Sequence, residues 1–142
     1  MATPHRITLS LLVILLLILP SCPQTIPTIV PDNPLLNGQA NYILNYFVSK
    51  QLLSTSYFQV NFSQADIVVP NGKLNVTATA NGNAISSANT SVSCVNEVCT
   101  IRLGTIINVS TNVVINFGLM RNPKYIASQK IGVFIYYSNI SN

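Results

Sequence analysis

From Ala40 onward, apolar and polar residues alternate with a period of two. Phe58, Val60 and Phe62 alternate with Gln59 and Asn61, and Leu74, Val76, Ala78 and Ala80 with Asn75, Thr77 and Thr79. Val113, Ile115 and Phe117 alternate with Asn112, Val114 and Asn116. Successive side chains of a strand point to opposite faces, so each run predicts a strand with one buried and one wet face. Seven or eight strands are expected, over about 40–49, 55–62, 65–69, 73–80, 84–93, 98–103, 111–119 and 129–138. The stretch ANYILNYFVSKQLL also suits a helical stripe through Ile43, Leu44, Phe47 and Val48. Its Tyr, Phe and Val content favours a strand, because such side chains pack well on a pleated surface.

Turn chemistry falls between the runs. Asn71-Gly72 and Asn81-Gly82 supply the positive φ that tight hairpins demand, and Asn122-Pro123 interrupts the chain before the last strand. Short strands at this interval predict an all-β fold, an immunoglobulin-like antiparallel β-sandwich over 39–142. Ahead of it, Pro23, Pro27, Pro31 and Pro34 mark 22–38 as an extended proline-rich lead-in. Proline fixes φ and lacks an amide donor, so this piece is unsuited to a helix or a central strand. Before that, His5 and Arg6 precede an unbroken apolar run from Leu11 to Leu19. As a helix the run is about 14 Å long, half a bilayer core, so 1–21 reads as a secretory signal peptide and not as a membrane span. The mature protein is therefore expected to lack a transmembrane helix.

The 142 residues fit one domain beyond the signal. Charge is sparse: Asp32, Asp66 and Glu97 are the only acids, and removing the signal leaves six basic residues and a net charge of +3. Lys50, Arg102, Arg121 and Lys124 are dispersed, so no stretch tracks phosphates and no nucleic-acid partner is expected. The single histidine, His5, lies in the signal. A mature chain without histidine lacks the usual general base and the usual metal ligand, and its three acids are scattered. Neither a P-loop nor a GxGxxG or GxSxG motif is present. The reading is a non-enzyme with no cofactor, no metal and no catalytic residue.

Two of the three cysteines, Cys94 and Cys99, lie in SVSCVNEVCTIRL with four residues between them. Zinc needs more thiolates or histidines than the mature chain offers, and a thioredoxin-like pair wants two intervening residues in an α/β setting. A hairpin explains the spacing. If Asn96 and Glu97 form the turn, Val95 faces Val98 and Cys94 faces Cys99, close enough for a disulfide. Cys22 is then the odd cysteine. It follows Leu19-Pro20-Ser21, an imperfect bacterial lipobox, and is a candidate for lipidation or for an intermolecular thiol.

Asn61, Asn75, Asn89, Asn108 and Asn139 each begin an Asn-x-Ser/Thr sequon. In a chain so rich in Asn, Ser and Thr, chance alone gives roughly three, so placement counts for more than number. Asn61 and Asn75 fall on the polar parity of their strands, and Asn89 and Asn108 in or near turns. Glycans there would supply hydration that so few charges leave wanting.

The segments YFQVNFSQADIVVPNG, SCVNEVCTIRLG, TNVVINFGLMRNP and KIGVFIYYS, in this order, resemble repeats in large secreted surface proteins of ciliates and other protists. Cys94 and Cys99 match the family's hairpin pair, Asn122-Pro123 its turn, and Gly132, Phe134 and Tyr136 or Tyr137 its closing strand. The family's copies usually stand in tandem, whereas this chain carries one. The resemblance implies an immunoglobulin-type sandwich in an extracellular, structural or adhesive setting. The expected function is thus a secreted, glycosylated coat protein whose partners are copies of itself or other coat proteins. A sharper version is a fibre subunit that donates TIPTIV or NPLLNGQANYILNYF to a neighbouring sheet. The rival is a lipid-anchored binding protein modified at Cys22, and exposed Tyr136 or Tyr137 are candidates for an adhesive contact.

Overall fold

A computed structural model describes residues 25–70, 74–124 and 130–138. Nine strands form among them: β1 (Thr28–Pro31), β2 (Gln39–Phe47), β3 (Tyr57–Asn61), β4 (Val76–Ala80), β5 (Asn83–Ala84), β6 (Ser91–Val95), β7 (Val98–Arg102), β8 (Asn112–Arg121) and β9 (Gly132–Tyr136). No helix is present among the described residues, none therefore long and apolar enough to cross a membrane. The signal segment, Cys22, Asn71-Gly72 and Asn139 lie outside the described residues.

The strands make two antiparallel sheets, ordered β1-β2-β8-β4-β5 and β6-β7-β3-β9. The period-two alternation decides which side chains meet between them. Tyr42, Leu44 and Tyr46 of β2 and Val113, Ile115 and Phe117 of β8 face Phe58 and Val60 of β3 and Cys99 and Ile101 of β7 across one core. Phe62 sits at its centre, edge-on to Tyr42 at 6.0 Å and to Phe117 at 5.6 Å, while Tyr46 meets Phe58 at 5.9 Å. Edge-to-face contacts of this kind add about 0.5–1.5 kcal/mol each beyond simple burial.

Three expected features come out differently. The strand expected over 65–69 reduces to a single bridge between Val68 and Arg121, because the chain turns tightly there. Asn61 Oδ1 takes the Ser63 amide, the Ala65 amide bonds the Phe62 carbonyl, and Asp66 adopts φ 50°. The strand expected over 84–93 is split into β5 and β6. Between them the Ser86 carbonyl accepts from the Asn89 amide and the Thr90 hydroxyl, which closes a turn that a polar SSANT segment has no apolar burial to resist. Part of the proline-rich lead-in joins the fold as β1, at a sheet edge, where a proline's missing amide costs no ladder bond. The Asn81-Gly82 hairpin forms as expected, with φ 49° and 81°.

Candidate functional site

The β6–β7 hairpin turns on Asn96 (φ 48°) and Glu97 (φ 64°), both left-handed, the backbone pattern whose twist suits a two-residue hairpin. Its register sets Val95 opposite Val98 and Cys94 opposite Cys99, with Cα atoms 4.0 Å apart and the sulfurs joined in a disulfide. Alternation sends both cysteines to the inner face: Cys99 is fully buried and Cys94 half-buried against the core. The pin thus packs on the core near a sheet edge, with Cys99 inside and Cys94 at the margin. At the turn, the Glu97 carbonyl accepts the Phe62 amide at 3.0 Å, tying the hairpin to the end of β3. Beside Cys94 runs a shallow groove of about 490 Å³, lined by Leu74, Val76, Ser87, Thr90 and Val92 among others.

Of the sequon asparagines, Asn75, Asn89 and Asn108 are exposed and Asn61 is half-buried. Asn61 directs Oδ1 to the amide and hydroxyl of Ser63, at 3.0 and 2.7 Å. Asn108 Oδ1 accepts from Gln51 at 2.9 Å. The Asn75 carbonyl takes the Gly118 amide at 2.8 Å, and the Asn89 amide bonds Ser86 at 3.0 Å. Asn75 and Asn89 are thus held through the backbone and Asn61 and Asn108 through the side-chain oxygen, and Asn75, Asn89 and Asn108 stay exposed. Gly104, at φ 60°, packs so closely on Asn89 that a Cβ there would stand 2.2 Å from the Asn89 carbonyl oxygen.

A buried polar hub was not foreseen. Asn122, 4 % exposed at the end of β8, accepts from the Tyr42 hydroxyl at 2.6 Å and donates to the Asn33 and Leu35 carbonyls at 2.6 and 2.8 Å. Its amide also bonds the Gly38 carbonyl, and Asn37 bonds Pro123. The lead-in is thereby fastened to the core by a residue that the sequence marks only as part of a turn. The signal available was Asn122 directly before a proline at a strand end. Nearby, both oxygens of the exposed Asp32 carboxylate accept from Asn41, from its amide at 2.8 Å and its side chain at 2.7 Å. These bonds, the backbone one foremost, hold the Asp32 carboxyl below its usual range.

At the opposite end Tyr46 and Tyr137 share a hydroxyl–hydroxyl bond of 2.7 Å, with Lys50 Nζ 4.9 Å from the Tyr137 ring centroid. Desolvation, then the hydrogen bond and charge of Tyr46, push Tyr137 up to about 12. Tyr136 lies on the outer face and stacks on Tyr57 at 4.6 Å with Arg102 beyond, so the two tyrosine rings turn facing sides to each other. Asp66 shares a cavity of about 390 Å³ with Arg121 and Lys124. Glu97 stands in the hairpin turn and Asp32 in its clasp. Among the described residues no group of three His, Cys, Asp or Glu converges where a metal could be held.

No family model, curated protein or solved structure matches this chain. The elements of chemical note are a covalent pin, reachable sequons, a polar hub and, at the far edge of the second sheet, a strand rich in exposed apolar residues.

Proposed function

We propose that the chain is a secreted, glycosylated, non-enzymatic β-sandwich that builds or decorates an extracellular coat. The observation that carries this reading is the Cys94–Cys99 disulfide, set into the core of the fold. Structural disulfides persist in oxidising compartments and are rare in reducing ones. The apolar run from Leu11 to Leu19 and the reachable sequons point the same way. An immunoglobulin-like relationship, and with it the resemblance to protist surface repeats, draws support from strand order. The run β1-β2-β8-β4 follows the A-B-E-D order of that sandwich, and β3 beside β9 follows C-F. The β6–β7 hairpin is then an insertion between D and E that pairs with the other edge of C.

Within this reading, the fibre version loses its donor segments, since Gln39–Phe47 is the strand between β1 and β8 and Thr28–Pro31 pairs with it. The lipid-anchored alternative rests on Cys22 and differs in one measurable mass. Peptide mass spectrometry of native material tests the proposal. The expected result is a mature N-terminus near Ser21–Cys22, an oxidised Cys94–Cys99 pair and hexosamine-bearing peptides at two or more of Asn61, Asn75, Asn89 and Asn108. An uncleaved N-terminus together with reduced cysteines and bare asparagines sinks it, and a diacylglycerol on Cys22 replaces it with the anchored form.

A further inference from the structure

Antiparallel sheets leave unpaired amides and carbonyls along their outer strands, and proteins ordinarily blunt those edges with prolines, charges or very short strands. Three of the four edges here follow that rule or approach it. β1 is bracketed by Pro27 and Pro31, β5 is two residues long, and β6 alternates serines and follows the Asn89 sequon. The fourth, β9, reads GVFIY, with neither proline nor charge. It pairs with β3 along one side, and among the described residues nothing pairs along the other. Phe134 is 53 % exposed and Tyr136 42 % exposed on its outer face. On its inner face Val133, with Ile131, lines a groove of about 530 Å³ whose far wall is β1, through Ile29 and its neighbours.

We propose that β9 is a self-complementary docking edge, at which a second copy of this chain adds its own β9 antiparallel in a register centred on Phe134. Three observations select this occupant. The strand matches itself in chemistry: centring on Phe134 sets Tyr136 of each copy opposite Gly132 of the other, where that copy's own Phe134 ring covers the missing side chain, so aromatic rings meet around the twofold. The same register sets Val133 opposite Ile135, so the half-buried inner faces of both copies continue into each other and the apolar groove walls meet. Lastly, the one charge flanking the strand, Lys130, falls at opposite ends of an antiparallel pair, whereas a parallel pair would set the two lysines side by side. An isologous contact of this kind closes after two copies. It joins the two four-stranded sheets into one of eight strands, with main-chain bonds supplying affinity and the alternate side chains supplying register. The inference rests on the edge alone and holds wherever the protein resides.

Sedimentation velocity of the natively processed protein, across micromolar to millimolar concentration, is expected to show a monomer–dimer equilibrium. Phe134→Lys places two ammonium groups face to face at the twofold and is expected to weaken the dimer at least tenfold, while at concentrations where both proteins are monomeric their melting temperatures agree. Register is tested by crosslinking in a Cys22→Ser background: Phe134→Cys is expected to give a disulfide-linked dimer on a non-reducing gel, and Tyr136→Cys, facing Gly132, is not. A protein monomeric at every concentration overturns the proposal. So do open-ended filaments, a dimer indifferent to Phe134→Lys, or equal crosslinking at both positions.

Discussion

Asn122 shows how much one side chain can organise when it is buried with every polar atom matched. Its amide group links Tyr42 in the core to two carbonyls of the lead-in, a span of eighty residues or more in sequence for each bond. Asn122→Ala removes all three bonds and strands the Tyr42 hydroxyl, so a loss of about 2–4 kcal/mol is expected from urea unfolding, with faster amide exchange at Gly38. Substitution that leaves the unfolding midpoint in place would show the hub to be incidental. Gly104 is the converse case, a residue required for what it lacks. At φ 60° and against the Asn89 carbonyl, Gly104→Ala is expected to cost at least about 2 kcal/mol in the same assay. Tyr137 carries the pH prediction. Its folded value of about 12 lies above the ordinary 10.0, so the neutral phenol is favoured by folding. The contribution is full below 10 and is lost as pH rises from 10 towards 12. A tyrosinate absorbance titration should show late absorbance that Tyr137→Phe reduces, leaving the part that belongs to Tyr42, which burial also raises. Asp32 works in the opposite sense: its depressed carboxyl steadies the clasp on Asn41 above the usual 3.8 and releases it as pH falls below.

At the scale of elements, the hairpin is the part most fully legible from sequence. Four intervening residues, a turn-forming Asn-Glu pair and alternating apolar neighbours leave one register, and that register brings the sulfurs together. A loop this small adds about 2 kcal/mol in the chain-entropy account. Cys94→Ser should therefore lower stability by about that amount, with exchange rising first in β6, the outer strand of its sheet. An unchanged denaturation midpoint would argue that core packing around Cys99 already sets the register. The strands β2, β3, β7 and β8 were likewise legible, since each has a run of alternating residues with large side chains on one parity. The segments 65–69 and 84–93 were not. Their apolar residues invite a strand, but Asn61 Oδ1 accepts the Ser63 amide and Ser86 Oγ the Ala88 amide, local bonds that close turns first.

For the molecule as a whole, Phe62 is the place where the sheets depend on each other. It follows β3 in one sheet and packs edge-on against Tyr42 and Phe117 in the other. Phe62→Ala is expected to cost about 3–5 kcal/mol and to destabilise both sheets together in one cooperative transition. Separate transitions followed by fluorescence and by exchange would mean that the sheets fold independently. The lateral sides of the sandwich differ in how they are finished. The disulfide stands beside one groove, along β4 and β6, and the other runs between β1 and the apolar edge of β9. That asymmetry is a property of the assembled fold alone.

The sequence by itself determined what depends on neighbours a few residues apart: strand parity, the Asn-Gly and Asn-Glu turns, and the pairing of Cys94 with Cys99. These are decided by backbone geometry and by the pleat, both local. Tertiary structure alone decided which strands lie side by side, that Asn122 reaches across to the lead-in, that Tyr46 meets Tyr137 and that β9 ends its sheet. Each of those joins residues dozens of positions apart, and no local propensity encodes a contact whose entropy of closure is offset only when the whole core assembles.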